Sequence, residues 1–224
     1  MPIPRRNRLS SAEAVRACYL DFEGRKDRPP ILAGWALRGG QVPNPRVHQI
    51  LLDPRFAPLR QPGAPAICAL PDFIKLMVEQ AESEDRLIVA WSEHELRLVR
   101  QYCSVDLATR FESRFVNARK VAVRWTNTRP RDERPAEHSL AAYLALVGYA
   151  LPPEAGPGRV GSTIGIIERS LARNSGRRSA LTVNQIGRFD QLREHNRHDC
   201  LGMRLVCRLA AAGLERAQKP PHIV

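Results

Sequence analysis

The sequence predicts an α/β fold in which a single mixed sheet is flanked by helices. Three observations lead there. Three short runs rich in strand formers, separated by glycine and proline turn signals, open the chain. From residue 71 onward, apolar residues at helical spacing alternate with one further short apolar strand. Hydrophobic residues make up 43% and charged residues 26% of 224 residues, so a real core can be buried and two independent enzymes will not fit.

Taken in order, residues 1–12 carry Arg5, Arg6 and Arg8 among prolines and read as a mobile basic arm. Residues 15–23, Val-Arg-Ala-Cys-Tyr-Leu-Asp-Phe-Glu, read as a buried strand closed by Gly24 and a charged turn. Residues 31–37 and 47–52 read as two more strands, with Gly39-Gly40 and Pro43-Asn44-Pro45 between them. Consecutive antiparallel pairing then gives a three-stranded meander. After a proline-rich stretch at 54–65, Pro71-Asp72 leads into Phe73, Ile74, Leu76, Met77, Val78 and Ala81 at helical spacing. Residues 87–91 form a short apolar strand, and Ser92 with Glu95 three residues later has the form of a capping box. Further helices are expected at 105–115, 139–149, 162–172 and 189–212, with loops at 127–135 and 173–178. The domain organisation that follows is an arm at 1–12, one domain at 13–215 and a tail at 216–224.

Lys plus Arg number 35 against 23 Asp plus Glu, a net charge of +12. Such a surface attracts polyanions, and nucleic acid, DNA or RNA, is the first partner to expect. No apolar run approaches the roughly 20 residues of a membrane span. The first residues carry charge without a following apolar stretch. The five cysteines are scattered, without the close pairs of a zinc site or a disulfide scaffold. A cytoplasmic protein without membrane contact is the expectation.

Chemistry concentrates in the acids. Asp21 and Glu23 lie two apart on a strand and share a face, where like charges repel unless a cation sits between them. The alternative is a solvated strand end. Leu192, His195, Asp199, Met203 and Val206 fall on one helical face, and a carboxylate inside an apolar stripe is costly unless paired or metal-bound. Its alternative is a salt bridge to an arginine of another element or simple partial exposure. Glu95 shares a face with Leu98, Val99 and Tyr102, whereas Glu93 falls with Arg97 and Arg100 on a wetter one, so Glu95 is preferred. Arg173, Arg177 and Arg178 around Asn174-Ser175-Gly176 can grip a substrate backbone or form an ordinary solvated turn. Trp125, near Arg124, Arg129, Arg131 and Arg134, offers a stacking plane for a base or packs into its own domain.

Tyr-Leu-Asp-Phe-Glu-Gly, Val-Ala-Trp-Ser-Glu-His-Glu-Leu and His-Asn-Arg-His-Asp-Cys, in this order, resemble the three exonuclease motifs of the DnaQ-like, ribonuclease H-like superfamily. The resemblance runs from about residue 15 to 210 and is closest to the ribonuclease H-like nucleases found with or near RecB-type nucleases. It implies a ribonuclease H-like mixed sheet, a meander plus parallel strands, and a DEDD-type acid set of Asp21, Glu23, Glu95 and Asp199. Glu95 departs from the usual Asp, and His195 stands where the Tyr-type motif has Tyr. Two divalent ions, Mg²⁺ or Mn²⁺, held by the four acids are implied, with His195 as general base and His198 in reserve. The implied activity is 3′–5′ exonucleolytic phosphodiester hydrolysis, and association with other DNA-processing proteins is implied with it. Two alternatives stay open: a ribonuclease H-like endonuclease acting on RNA in hybrids, and a nucleic-acid-binding module with degraded catalysis.

Overall fold

A computed structural model describes residues 8–26, 28–37, 45–152 and 160–218. The strands β1 (Cys18–Glu23), β2 (Leu32–Leu37), β3 (Arg46–Leu51), β4 (Ile88–Ala90) and β5 (Phe115–Asn117) form one sheet in the order β3-β2-β1-β4-β5. β1, β2 and β3 pair antiparallel in sequence order, the expected meander. β4 then joins β1 in parallel and β5 joins β4 in parallel. Helices α1 (Ser11–Arg16), α2 (Leu70–Ser83), α3 (His94–Tyr102), α4 (Val105–Arg114), α5 (Ala118–Thr126), α6 (Leu140–Leu146), α7 (Val160–Arg173) and α8 (Val183–Gln218) surround it.

Alternation along β1 divides the core into two layers. Cys18, Leu20 and Phe22 pack on one side with Phe73, Ile74 and Val78 of α2, Val99 of α3 and Phe111 of α4. Tyr19 faces the other side, with Val121 and Trp125 of α5 and Cys200, Met203 and Cys207 of α8. Asp21 and Glu23 continue the Tyr19 series, so both stand on the α8 side. α8 and α5 approach closely because Gly213 has no side chain: a Cβ there would lie 2.3 Å from Nε1 of Trp125. Among the described residues no helix is long and apolar enough to cross a membrane.

Several boundaries differ from the sequence expectation. Val15 and Arg16 belong to α1, not to the first strand, because Ser10 and Glu13 close a capping box ahead of it. Leu9 is buried and Ser11 donates from its N–H and hydroxyl to Glu215 of α8 (2.7 and 2.6 Å), so residues 8–12 belong to the fold rather than to an arm. Residues 1–7 of that expected arm, and 219–224 of the expected tail, lie outside the described residues. The last helix starts at Val183 rather than 189 and runs through 216–218. β5 and α5 were not expected at all. Residues 115–117 follow α4 without a glycine or proline and are defined as a strand only by pairing Phe115, Val116 and Asn117 with Ile88, Val89 and Ala90.

Candidate active site

Asp21, Gly34 and Gln49 lie side by side in one row across β1, β2 and β3. Asn196 of α8, fully buried, sits against that row and ties it together. Its Nδ2 donates to Oδ2 of Asp21 at 2.7 Å and to the Asp21 carbonyl at 3.2 Å. Its Oδ1 accepts from Nε2 of Gln49 at 2.9 Å, and the same Gln49 amide donates to the Arg193 carbonyl at 2.7 Å. Gly34 is required in the middle of the row, because a Cβ there would stand 1.9 Å from the Asn196 oxygen. Asn196, Gln49 and Gly34 were not singled out from sequence. Asn196 follows His195 directly in α8, but nothing local announces which strand it meets.

Glu95 lies in the first turn of α3 and is 5% exposed. The expected capping box is not formed. Ser92 and the first backbone N–H groups of α3 lie near enough to the Glu95 carboxyl to favour its charged form. The Ser92 hydroxyl, however, accepts from the N–H of His94 at 3.1 Å, and the N-cap is Glu93, whose side chain caps nothing. One oxygen of Glu95, Oε2, is buried without a hydrogen-bond partner. Such an orphan is costly and calls for a ligand or a proton. Glu93 instead pairs with Lys120 at 2.8 Å.

The four acids stand within range of one another's charge. Burial pushes the Glu23 carboxyl well above the usual range, and Asp21, Asp199 and Glu95 push it further in the same direction. Burial and then Asp21 raise Glu95 to about 8, against the Ser92 and Glu95 backbone bonds that favour the charged form. Burial and Asp21 likewise raise Asp199 to about 7, opposed by His195. Asp21 is raised by burial, and the Asn196 bond and the His195 charge work against that rise. His195 stands beside Asp199, its Nε2 at 3.5 Å from Oδ2. Among the described residues no arginine or lysine pairs with any of the four acids. Arg25 and Arg28, in the turn just after Glu23, pair with Glu168 of α7 instead.

β1, the start of α3 and α8 thus bring together Asp21, Glu23, Glu95, His195 and Asp199. His198 points its Nδ1 to the Tyr149 hydroxyl at 2.8 Å, a pairing absent from the sequence reading. The other expected substrate contacts are not brought to the acids by any contact. Trp125 is 5% exposed, packed on Gly213 with Arg129 over its ring at 4.2 Å, so it presents no open face to a base. Arg178 donates to the Pro58 carbonyl at 3.0 Å, while Arg173 and Arg177 are exposed around a turn in which Ser175 and Gly176 have positive φ.

The donor chemistry of the cluster fits hard divalent cations, which prefer carboxylate oxygens, and the orphaned Glu95 Oε2 is a donor without an occupant. Among the described residues, however, no three His, Cys, Asp or Glu side chains already close on one point as a metal-holding group. Compared with known proteins, the chain matches no family model, no curated protein and no solved structure.

Proposed function

We propose that the protein is a metal-dependent nuclease of ribonuclease H-like fold that hydrolyses phosphodiester bonds of DNA or RNA, acting as a 3′–5′ exonuclease. The observation that carries this reading is a cluster of four acids that no arginine or lysine pairs among the described residues, with His195 alone beside Asp199, in a chain whose net charge is +12. In such a basic protein, four acids left without arginine or lysine partners are explained by a cation that the site is built to receive. The sheet order, with a meander on one side of β1 and parallel strands on the other, is the arrangement that the three motifs imply. Asp21, Glu23, Glu95 and Asp199 would hold two Mg²⁺ or Mn²⁺ ions, which when bound supply an acidified water and charge for the leaving oxygen.

The chain's own residues have separable tasks. Asn196 fixes the Asp21 carboxylate through Oδ2, with Gln49 locking the Asn196 amide in that orientation. Ser92 lies beside Glu95 and favours its charged form, while the Glu95 Oε2 has no hydrogen-bond partner. His195 is placed beside Asp199 to accept a proton from water as a general base. The surrounding positive surface draws in the polyanionic substrate.

The test is a highly purified protein incubated with end-labelled single- and double-stranded DNA, RNA and hybrid, with Mg²⁺, Mn²⁺ or chelator. Stepwise shortening from the 3′ end that needs metal and is lost in Asp21→Asn is the expected result. Internal cuts confined to RNA in the hybrid would select the endonuclease alternative. Every substrate intact under all conditions would defeat the enzyme reading. The unclosed arrangement of the acids favours one second reading, a binding module with degraded catalysis. Tight, salt-sensitive binding without metal-stimulated cleavage identifies it.

A further inference from the structure

Next to Glu95, a groove of about 420 Å³ opens, lined by Ser92, Glu93, His94, Arg97 and Arg119. It lies just beyond the carboxyl ends of β4 and β5, where Ala90 and Asn117 are register partners. Open sheets of parallel strands bind ligands at that end. Both arginines are anchored there through their backbones: the Arg119 N–H donates to the Trp91 carbonyl at 3.0 Å, and the Arg97 N–H to the Glu93 carbonyl at 3.0 Å.

The charge of the groove is not cancelled from within. Its one carboxylate, Glu93, pairs with Lys120 at 2.8 Å. Neither Arg97 nor Arg119 has a carboxylate at salt-bridge distance among the described residues, and the Arg97 guanidinium meets only the His94 ring, at 3.5 Å. Elsewhere on the surface the arginines are commonly paired: Arg55 with Asp53, Arg86 with Glu84, Arg100 with Glu112, Arg110 with Glu82 and Arg114 with Asp85. Two guanidiniums without acidic partners in one concavity match a phosphate, which guanidinium binds in bidentate fashion. The volume falls within the range of small-ligand sites, about 300–1,000 Å³. Ser92 lines the groove and also acts on the charge of Glu95, three residues further on, so an occupant of the groove adjoins that acid.

We propose that this groove seats one backbone phosphate, with its sugar, of a single nucleic-acid strand, and that Arg97 and Arg119 are the groups that bind it. The phosphate-binding role stands by itself; that this nucleotide neighbours the cleaved one rests on the function proposed above. Sequence reading had assigned Arg97 to a solvated helix face and passed over Arg119, because the groove exists only once β5 and α5 are in place beside β4.

The experiment is fluorescence anisotropy of fluorescein-labelled oligothymidylate and oligouridylate, titrated in chelator over a salt series. It compares the wild-type protein with Arg97→Ala, Arg119→Ala and the double variant, plus a charge-matched control, Lys75→Ala with Arg110→Ala on α2 and α4. All the changed side chains are on the surface, and thermal melts confirm folding. The double variant is expected to reduce the slope of log affinity against log salt by about 0.7, the share of the one phosphate the groove holds, and each single substitution by part of that. The double variant is also expected to weaken binding about tenfold more than the control does. A double variant that binds like the control, or a wild-type protein that binds neither oligonucleotide, overturns the proposal. Arginine-dependent binding without any cleavage by the wild type sinks the nuclease reading and keeps the groove. Metal-dependent cleavage with unchanged binding and KM in the double variant does the reverse.

Discussion

Asp21 receives its shortest hydrogen bond from a neutral amide, Asn196, and not from a cation. An Asn at position 21 can accept the same bond, so Asp21→Asn and likewise Asp199→Asn should abolish metal-dependent cleavage while leaving the melting temperature in chelator unchanged or raised. A loss of stability of a few kcal/mol in either variant would mean that the carboxylate anchors structure instead. Gly34→Ala should act differently, since its methyl must displace the Asn196 amide from both Asp21 and Gln49. A loss of about 1–3 kcal/mol in denaturant melts, with activity lost as well, is expected; unchanged stability would show that Asn196 has another place to go. His195→Ala should lower turnover by roughly 10²–10⁴-fold with metal binding kept, and a loss seen only in His198→Ala would transfer the role to the Tyr149-bound histidine. The raised acids also set a pH dependence. Glu95 at about 8 and Asp199 at about 7 lie above their unfolded values, so the native state binds more protons between about pH 4 and 8. Stability of the chelator-treated protein therefore falls as pH rises through that window. His94, lowered by burial and Arg97, opposes this only below 6.5. Melting temperatures should then drop between pH 6.5 and 8 in chelator, and Mn²⁺ should recover most where the drop is largest. A melting temperature that rises over that interval in chelator would contradict the raised values.

At the scale of elements, the site is the crossing of β1 with α8 and the abutting start of α3. The acids on β1 and the His195–Asp199 pair were legible because each lies on an element with a strong period, two for the strand and 3.6 for the helix. The clamp was not, since Asn196 meets Asp21 across 175 positions of sequence and owes its place to α8 crossing the meander. β5 is three residues long and has helix on both sides, so local pattern favours helix and only the pairing with β4 makes it a strand. Without β5, residues 118–126 have no sheet to pack on, and α5 goes unread with it. α8 depends on close approach to α5, which Gly213 permits. Gly213→Ala gains about 1 kcal/mol of helix propensity but forces a methyl to 2.3 Å from the Trp125 ring nitrogen. A net loss of stability in urea melts is expected, because the buried ring is held between the second core layer and Arg129; a midpoint equal to or above that of the parent would show that the ring yields.

At the scale of the whole molecule, charge is segregated by sign. The chain carries +12, yet four acids gather about the end of β1 without an arginine or lysine partner among the described residues, and Arg97 and Arg119, without carboxylate partners there, line the groove beside Glu95. That distribution suits the proposed function, in which the surface would attract the strand and the acids would hold the ions that act on it. Composition alone made the first half legible. The grouping of the acids came from the resemblance of three motifs and not from composition, because Asp21, Glu95 and Asp199 lie on three different elements. The most direct measurement is anomalous scattering from crystals soaked in Mn²⁺, since it reads the site without needing the right substrate. The account predicts two peaks, about 3.5–4 Å apart, ligated by Asp21, Glu23, Glu95 and Asp199, and both lost in Asp21→Asn. Crystals that take up no Mn²⁺ among these four acids would contradict it.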